Sequence, residues 1–148
     1  MEAIEFHTGI DDPVGFVVRL LRKAYRQGAR VLVTAPAPML DPISRQLWLS
    51  YEREFIAHVH VGRCQPGQAA RTPLWLSTAV AAVEDEPVVV INVGAAAPAD
   101  MARLQRLIEV VAADADSAAA GRQRWRQYKA AGYGVVHVNA TPGNPDAA

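Results

Sequence analysis

The chain has 148 residues, of which 51% are hydrophobic, so it is long enough to bury a core as one domain without disulfides or a structural metal. Its 15 lysine and arginine residues equal its 15 aspartate and glutamate residues, which excludes the overall positive field of a protein that coats nucleic acid. The single cysteine, Cys64, excludes an intramolecular disulfide, and no apolar run approaches the roughly 18 residues that span a bilayer. We therefore expect a protein of the reducing cytoplasm.

The first part of the chain predicts a strand, a helix and a second strand. Residues 3–7 form the first predicted strand. Asp12-Pro13 predicts a helix start, because aspartate is a favoured N-cap and proline fits the first turn, and Gly28 suits the end of that helix. The continuous apolar run over residues 30–35 is typical of a strand that is buried on both faces.

The middle of the chain repeats this order. Asp41-Pro42 predicts the start of a second helix, which extends to about Tyr51. Apolar runs predict further strands over residues 55–61, 73–77 and 88–93.

The C-terminal part predicts two more helices and a last strand. The third helix is expected over residues 99–113, with an apolar stripe formed by Met101, Leu104, Leu107, Ile108 and Val111. The fourth helix is expected to begin between Asp114 and Ser117 and to end at Gly132, before a strand over residues 133–138.

The order of these elements predicts the fold class. Helices interleaved with apolar strands indicate an α/β fold, arranged as a three-layer sandwich around a mainly parallel sheet. No repeat or low-complexity linker divides the chain. We therefore expect a single domain over residues 1–139, followed by a disordered tail over residues 140–148.

The turns of this predicted fold lack the features of a nucleotide site or a catalytic site. The segment APAPML follows the second strand, and a single glycine, Gly94, follows the strand that ends at Val93, so no glycine-rich loop offers amides to phosphates. His58 and His60 would share one face of a strand, but no third or fourth metal ligand lies nearby. Nothing next to Cys64 indicates an activated nucleophile. We expect no cofactor, no metal and no catalytic residues, and an orphan α/β nucleotide-binding domain or enzyme is the alternative.

The stretch RQRWRQYKAAGYG, residues 122–134, concentrates cations and aromatic rings. One face of the predicted helix carries them at positions i, i+3, i+4 and i+7, namely Arg122, Trp125, Arg126 and Lys129. Tyr133 follows the Gly132 stop and can fold back near the helix end. Such a surface fits a short acidic peptide with an apolar anchor, because cations bind carboxylates while the rings form an apolar slot.

Two other interpretations of this patch remain open. In the first, Trp125 and Tyr128 are core residues and the arginines lie on a solvated face. In the second, the patch binds single-stranded nucleic acid, because aromatic rings stack on bases and arginines contact phosphates. The neutral overall charge argues only modestly against nucleic acid.

Six stretches carry a family resemblance. They are FH in the first strand, LLRKAYRQGARVLVTAP, LWLSYEREFIAHVHVG, TPLWLST, VVVINVG and RQRWRQYKAAGYGV. In this order, over almost the whole chain, they resemble the chi subunit of bacterial DNA polymerase III, an accessory protein of the clamp loader. The most distinctive parts are the basic and aromatic helix that closes in an AG-aromatic turn, and LW followed by FIAH.

The resemblance implies a non-enzymatic protein whose fold is similar to a nucleotide-binding domain without a nucleotide site. It implies a role in DNA replication through the acidic C-terminal tail of single-stranded-DNA-binding protein, and therefore an indirect association with single-stranded DNA. In some bacteria the family also binds the psi subunit, which tethers it to the clamp loader.

The resemblance also assigns a tail-binding site. Arg122 and Trp125 match the basic and aromatic positions of the tail-binding helix, and Gly132 with Tyr133 matches its closing turn. Helical geometry adds two further cations to the predicted site, Arg126 and Lys129.

A second set of residues matches the apolar region that faces psi, namely Trp48 and Phe55. The sequence also departs from the family pattern. Gly134 stands where a polar residue is common, and the alanine run before Arg122 lacks a lysine that some relatives have. We therefore expect a weaker electrostatic contribution to tail binding.

Overall fold

The computed structural model describes residues 3–50, 56–61, 73–79, 88–98 and 101–139. Within these ranges the chain forms seven strands and three α-helices. The strands are β1 (Ala3–Ile10), β2 (Val31–Thr34), β3 (His58–His60), β4 (Leu74–Ser77), β5 (Val88–Asn92), β6 (Leu104–Ala112) and β7 (Gly134–Asn139). The helices are α1 (Pro13–Arg26), α2 (Ala37–Ser50) and α3 (Ala115–Ala130). No helix in the described ranges is long and apolar enough to span a bilayer.

The seven strands form one sheet in the order β3-β4-β2-β5-β6-β1-β7, and all neighbouring strands run parallel. Helices α1 and α2 pack on one face, where Val31 and Val33 of β2 join their core cluster. Helix α3 covers the other face, where Leu32 shares a cluster with Tyr128. Successive residues of β2 thus face opposite layers. The predicted α/β sandwich around a parallel sheet is confirmed.

Helix α1 forms as the sequence predicts. The Asp12 side chain accepts a hydrogen bond from the Gly15 amide at 3.0 Å, and Pro13 occupies the first turn. The side chains of Val17 and Leu21 are fully buried beneath the helix. After the helix ends, Gly28 has a φ of +73°, a left-handed conformation that glycine adopts without a steric penalty.

Helix α2 begins earlier than predicted, at Ala37 and not at Asp41-Pro42. The Met39 amide donates to the Pro36 carbonyl at 2.9 Å, so a first turn forms before Asp41. Pro42 lies inside the helix, where it cannot donate a backbone hydrogen bond. The helix continues through it because fully buried aliphatic side chains precede and follow Pro42, namely Leu40, Ile43 and Leu47.

The predicted helix over residues 99–113 is wrong. Met101–Arg103 forms a short 3₁₀ turn, and the following residues form strand β6 between β5 and β1. Ile108 and Val110 face the α1 and α2 layer, whereas Leu107 and Val111 face α3. A strand that is buried on both faces has no polar side, so its apolar residues also fit a helical spacing.

Other predicted strands match β1, β2, β4, β5 and β7, and β3 is shorter than its predicted range of residues 55–61. Three expectations fall outside the described residues. They concern Phe55, Cys64 and the tail over residues 140–148.

Candidate functional site

Helix α3 carries the predicted site and packs against β6 and β7. Asp114 caps its start by accepting a hydrogen bond from the Ser117 amide at 3.0 Å, and this bond lowers the pKa of Asp114. The helix ends at Ala130, and the backbone then turns at Gly132, whose φ is +92°. Both predicted ends of this helix are confirmed.

The middle of α3 approaches β6 closely at Gly121. A methyl group at this position would lie 2.9 Å from each of the two γ-carbons of Val111. Glycine therefore allows the helix to lie deeper on the sheet than any other residue would.

A groove of about 540 Å³ opens between α3 and the strands beneath it. Helix α3 contributes Ala118, Gly121, Arg122, Trp125 and Arg126. The strands and the turn after β6 contribute Phe6, Thr8, Gly9, Val111, Ala112, Ala113 and His137. None of these described lining residues is acidic. The groove therefore combines an apolar floor with a positively charged edge.

The structure places the predicted residues in two groups. Arg122, Trp125 and Arg126 line the groove, and both arginines are exposed. The other predicted residues, Lys129, Gly132 and Tyr133, are not among its lining residues. The Nζ of Lys129 lies 5.5 Å from the centroid of the Trp125 ring, within the range of a cation–π contact.

Trp125 is half-buried at the boundary between the core and the groove. Its ring meets the Phe6 ring edge-on at a centroid distance of 5.1 Å. Tyr128, by contrast, is 3% exposed and belongs to the core. The interpretation of both rings as core residues thus holds for Tyr128, whereas Trp125 keeps a surface in the groove.

His137 and Thr8 line the groove, although the sequence did not predict them as site residues. Thr8 Oγ1 and His137 Nε2 are hydrogen-bonded at 2.5 Å, and the His137 ring is 6.1 Å from the Trp125 ring. His137 lies opposite Phe6 in the register of β1 and β7. Only this register brings it to the groove, so no local sequence signal could have found it.

A buried polar cluster lies beneath α3, formed by Glu109, Arg124, Tyr128 and Asn92; we call it the Glu109 cluster. Glu109 Oε2 accepts hydrogen bonds from Arg124 Nε at 2.8 Å, Tyr128 Oη at 3.1 Å and Asn92 Nδ2 at 3.2 Å. The Glu109 side chain is fully buried, and Arg124 is 7% exposed. The sequence missed this cluster because residues 99–113 were predicted as a helix.

Burial raises the pKa of Glu109 to about 7, and Arg124, Tyr128 and Asn92 oppose that rise. Its other oxygen, Oε1, is buried and has no hydrogen-bond partner among the described residues. Burial and the neighbouring carboxylate also raise the pKa of Tyr128, so its hydroxyl remains a donor. Near pH 7 the Glu109 carboxyl group is therefore balanced between its charged and neutral forms.

The predicted histidine pair lies on β3, and the intervening Val59 is buried on the opposite face of the sheet. His58 Nε2 is hydrogen-bonded to Ser44 Oγ at 2.8 Å, and Nδ1 to the Ile56 carbonyl at 2.9 Å. Burial lowers the pKa of His58. In the part of the chain that the structure describes, no three His, Cys, Asp or Glu side chains could hold a metal ion together.

A separate apolar surface lies at the end of α2. Trp48 is 49% exposed and Leu49 is 68% exposed, and the Trp48 ring is 4.8 Å from the His58 ring. We call this surface the Trp48 patch, formed by Trp48 and Leu49. Phe55, the second residue predicted for this region, lies outside the described residues.

The chain matches a protein-family model over most of its length. The family described as DNA polymerase III chi subunit, HolC, matches residues 1–136 of the chain. Among curated proteins, none matches the chain significantly.

Proposed function

The chain belongs to the family of the DNA polymerase III chi subunit, an accessory subunit of that polymerase, and we propose that it binds the acidic C-terminal tail of single-stranded-DNA-binding protein. In this role it couples the clamp loader to protein-coated single-stranded DNA in the cytoplasm during replication. It carries out no chemistry of its own and needs no cofactor.

The observation that carries the proposal is the composition of the groove. Arg122 and Arg126 are exposed at its edge, and the ring of Trp125 lies between them in sequence and beside them in the lining. A carboxylate of the tail can accept hydrogen bonds from a guanidinium in bidentate geometry. The last apolar side chain of the tail can fill the space over Phe6 and Val111.

The charge of the groove supports an acidic peptide over other ligands of similar size. The protein is neutral overall, yet the described lining residues include two arginines and no carboxylate. Attraction to an acidic tail is therefore local, and salt screens it over a Debye length of about 10 Å at 0.1 M. The apolar contacts of the last residue are less sensitive to salt.

The experiment is a titration of a fluorescent peptide copied from the tail of the cognate single-stranded-DNA-binding protein. A charge-assisted contact contributes about 1.5–3 kcal/mol, so we expect Arg122→Ala to weaken binding by roughly tenfold to a hundredfold. The matched control is Arg19→Ala, which removes an exposed arginine from α1 on the other face of the sheet. Equal affinity of the wild type and a folded Arg122→Ala variant would contradict the proposal.

We further propose that the Trp48 patch docks the psi subunit or another clamp-loader subunit. Two large, exposed apolar side chains next to each other form a suitable anchor for a protein partner. Phe55 remains part of this prediction. The patch is separate from the groove, so one protein molecule can bind both partners.

A further inference from the structure

Building on the proposed function, we propose that Glu109 is a positioning residue of the tail site. Its buried carboxylate fixes α3 over the sheet, so that Arg122 and Trp125 of the same helix face the groove. Glu109 does not touch the peptide itself, because it is fully buried and is not among the groove's lining residues.

The buried face of α3 has an unusual composition, and its attachment to the sheet therefore depends on the Glu109 carboxylate. The helix sequence ADSAAAGRQRWRQYKA contains no leucine, isoleucine or valine. Its buried residues are Gly121, Arg124 and Tyr128. Of these, Arg124 and Tyr128 both donate hydrogen bonds to Glu109. The helix is therefore held by the aromatic packing of Trp125 and Tyr128 on the sheet together with these polar contacts, and not by aliphatic side chains of its own.

Such contacts determine orientation more strictly than apolar packing does. The hydrophobic effect is non-directional, whereas a hydrogen bond weakens steeply as its angle departs from linearity. Arg124 and Tyr128 lie four residues apart, on the same face of α3. Anchoring both on one carboxylate oxygen fixes the rotation of the helix about its axis, and the rotation decides where Arg122 and Trp125 point.

The carboxylate is itself held by a network that reaches across the sheet. Asn92 Nδ2 on β5 donates to Glu109 Oε2 and also to the Ala95 carbonyl at 2.9 Å. Asn92 Oδ1 accepts from the Ala95 amide at 2.9 Å and from Thr34 Oγ1 of β2 at 3.0 Å. Three neighbouring strands, β2, β5 and β6, therefore support the point at which α3 is anchored.

The test uses Glu109→Gln, which keeps the shape of the side chain and removes its charge. At pH 8.5 we expect this variant to bind the fluorescent tail peptide about fivefold more weakly than the wild type, or worse. Tyr128→Phe removes one donor and should weaken binding by roughly two- to threefold. The matched control is Glu5→Gln, because Glu5 pairs with Arg106 at 2.6 Å and alternates along β1 with Ile4 and Phe6, which face α3, so that its own side chain points to the other face of the sheet.

The pH profile separates positioning from a purely structural role. Because burial raises the pKa of Glu109 to about 7, we expect a protonated wild-type carboxyl group at pH 5.5, where the wild type and Glu109→Gln should bind with similar affinity. At pH 8.5 the affinities of the two proteins should differ. Among the described residues, the charged and titratable groups that face Glu109 are Arg124 and Tyr128, and the pKa of the Tyr128 hydroxyl is raised well above this range. His137 at the groove is present in both proteins, so it does not contribute to the difference between them.

The direction in which Glu109→Gln changes the affinity for the tail peptide also tests the proposal. If Glu109 acted only through electrostatic repulsion of the acidic peptide, removing its negative charge would strengthen binding. Glu109→Gln would then bind the tail peptide more tightly than the wild type at pH 8.5. Tighter binding, or equal binding by a folded variant, would overturn the proposal. If Glu109→Gln fails to fold, Tyr128→Phe decides: unchanged affinity at pH 8.5 would count against positioning.

A peptide-free measurement separates this proposal from the proposed function. The NMR signal of the Trp125 indole N–H should shift further between pH 5.5 and pH 8.5 in the wild type than in Glu109→Gln, in which the side chain at position 109 cannot titrate. If the wild type binds no tail peptide but this difference appears, the proposed function fails and Glu109 still positions α3. If the peptide binds and the indole signal titrates equally in both proteins, the positioning role is wrong.

Discussion

At the scale of single residues, the groove depends on side chains from distant parts of the chain, and His137 shows this most clearly. Its ring forms the β7 side of the groove, hydrogen-bonded to Thr8 and close to the ring of Trp125. A peptide that fills the groove over Phe6 would contact His137 as well as the arginines of α3. This histidine is therefore part of the apolar slot.

We expect His137→Ala to weaken binding of the fluorescent tail peptide by roughly two- to tenfold, because it removes one wall of the slot and an aromatic contact of Trp125. Val136→Ala is the matched control. Val136 is exposed on the same strand, and its side chain points to the opposite face of the sheet. A His137→Ala variant that binds like Val136→Ala would show that the peptide does not reach β7.

The sequence predicted those groove-lining residues that share one helical face. Arg122, Trp125 and Arg126 follow from helical spacing and the family resemblance, and all three line the groove. Lys129 has the same spacing but contacts the Trp125 ring from outside the groove. His137 could not be predicted, because its place depends on the pairing of β7 with β1 and on no local pattern.

At the scale of elements, the depth at which α3 lies on β6 controls the width of the groove. Gly121 sets this depth, because a β-carbon there would lie 2.9 Å from both γ-carbons of Val111. Valine is stiff about its first side-chain torsion, so it yields little space. A larger residue at position 121 must therefore lift or tilt the helix.

We expect Gly121→Ala to lower the free energy of unfolding and to weaken tail binding together. Alanine gains about 1 kcal/mol of helix propensity over glycine, but overpacking costs about 1–3 kcal/mol, so the net loss should be roughly 1 kcal/mol. Urea unfolding and peptide titration measure the two effects. The control is Ala119→Gly, which changes propensity at an exposed position of the same helix. Wild-type affinity in Gly121→Ala would show that groove width is not limiting.

The sequence predicted best those helices whose ends carry a recognisable capping residue. Both α1 and α3 begin at an aspartate that caps them through its side chain, at Asp12 and Asp114. Strand β6 was mistaken for a helix because it is buried on both faces and its apolar residues satisfy two periodicities at once. That error also concealed the Glu109 cluster, since a carboxylate in a predicted surface helix needs no buried partner.

At the scale of the whole molecule, the alternation of helices and strands predicted the α/β class, but the strand order required the structure. That order places the two proposed binding surfaces at opposite edges of the sheet. The groove lies over β6, β1 and β7 at one end of the sheet, and the Trp48 patch lies beside β3 at the other end. With strands about 4.8 Å apart, the four intervals between β3 and β6 already span roughly 19 Å. Binding at one surface should therefore leave the other unaffected.

This separation leads to a prediction for Trp48→Ala. The side chain is half exposed, so its removal should change stability by only about 1 kcal/mol. An exposed aromatic anchor of an interface commonly contributes about 2 kcal/mol or more, so binding to purified psi, or to the clamp-loader subunit that replaces it, should weaken by at least about tenfold. Tail-peptide affinity should stay within about twofold, because sites this far apart rarely couple.

The same two titrations on Arg122→Ala should give the reverse pattern, with weaker binding of the tail peptide and unchanged binding of the clamp-loader partner. Each variant thus serves as the folding control for the other, since a globally damaged protein would lose both activities. If Trp48→Ala weakened tail binding as much as partner binding, the two surfaces would be coupled through the sheet. If it weakened neither, the Trp48 patch would serve no partner among the subunits tested, and the exposure of Trp48 would need another cause.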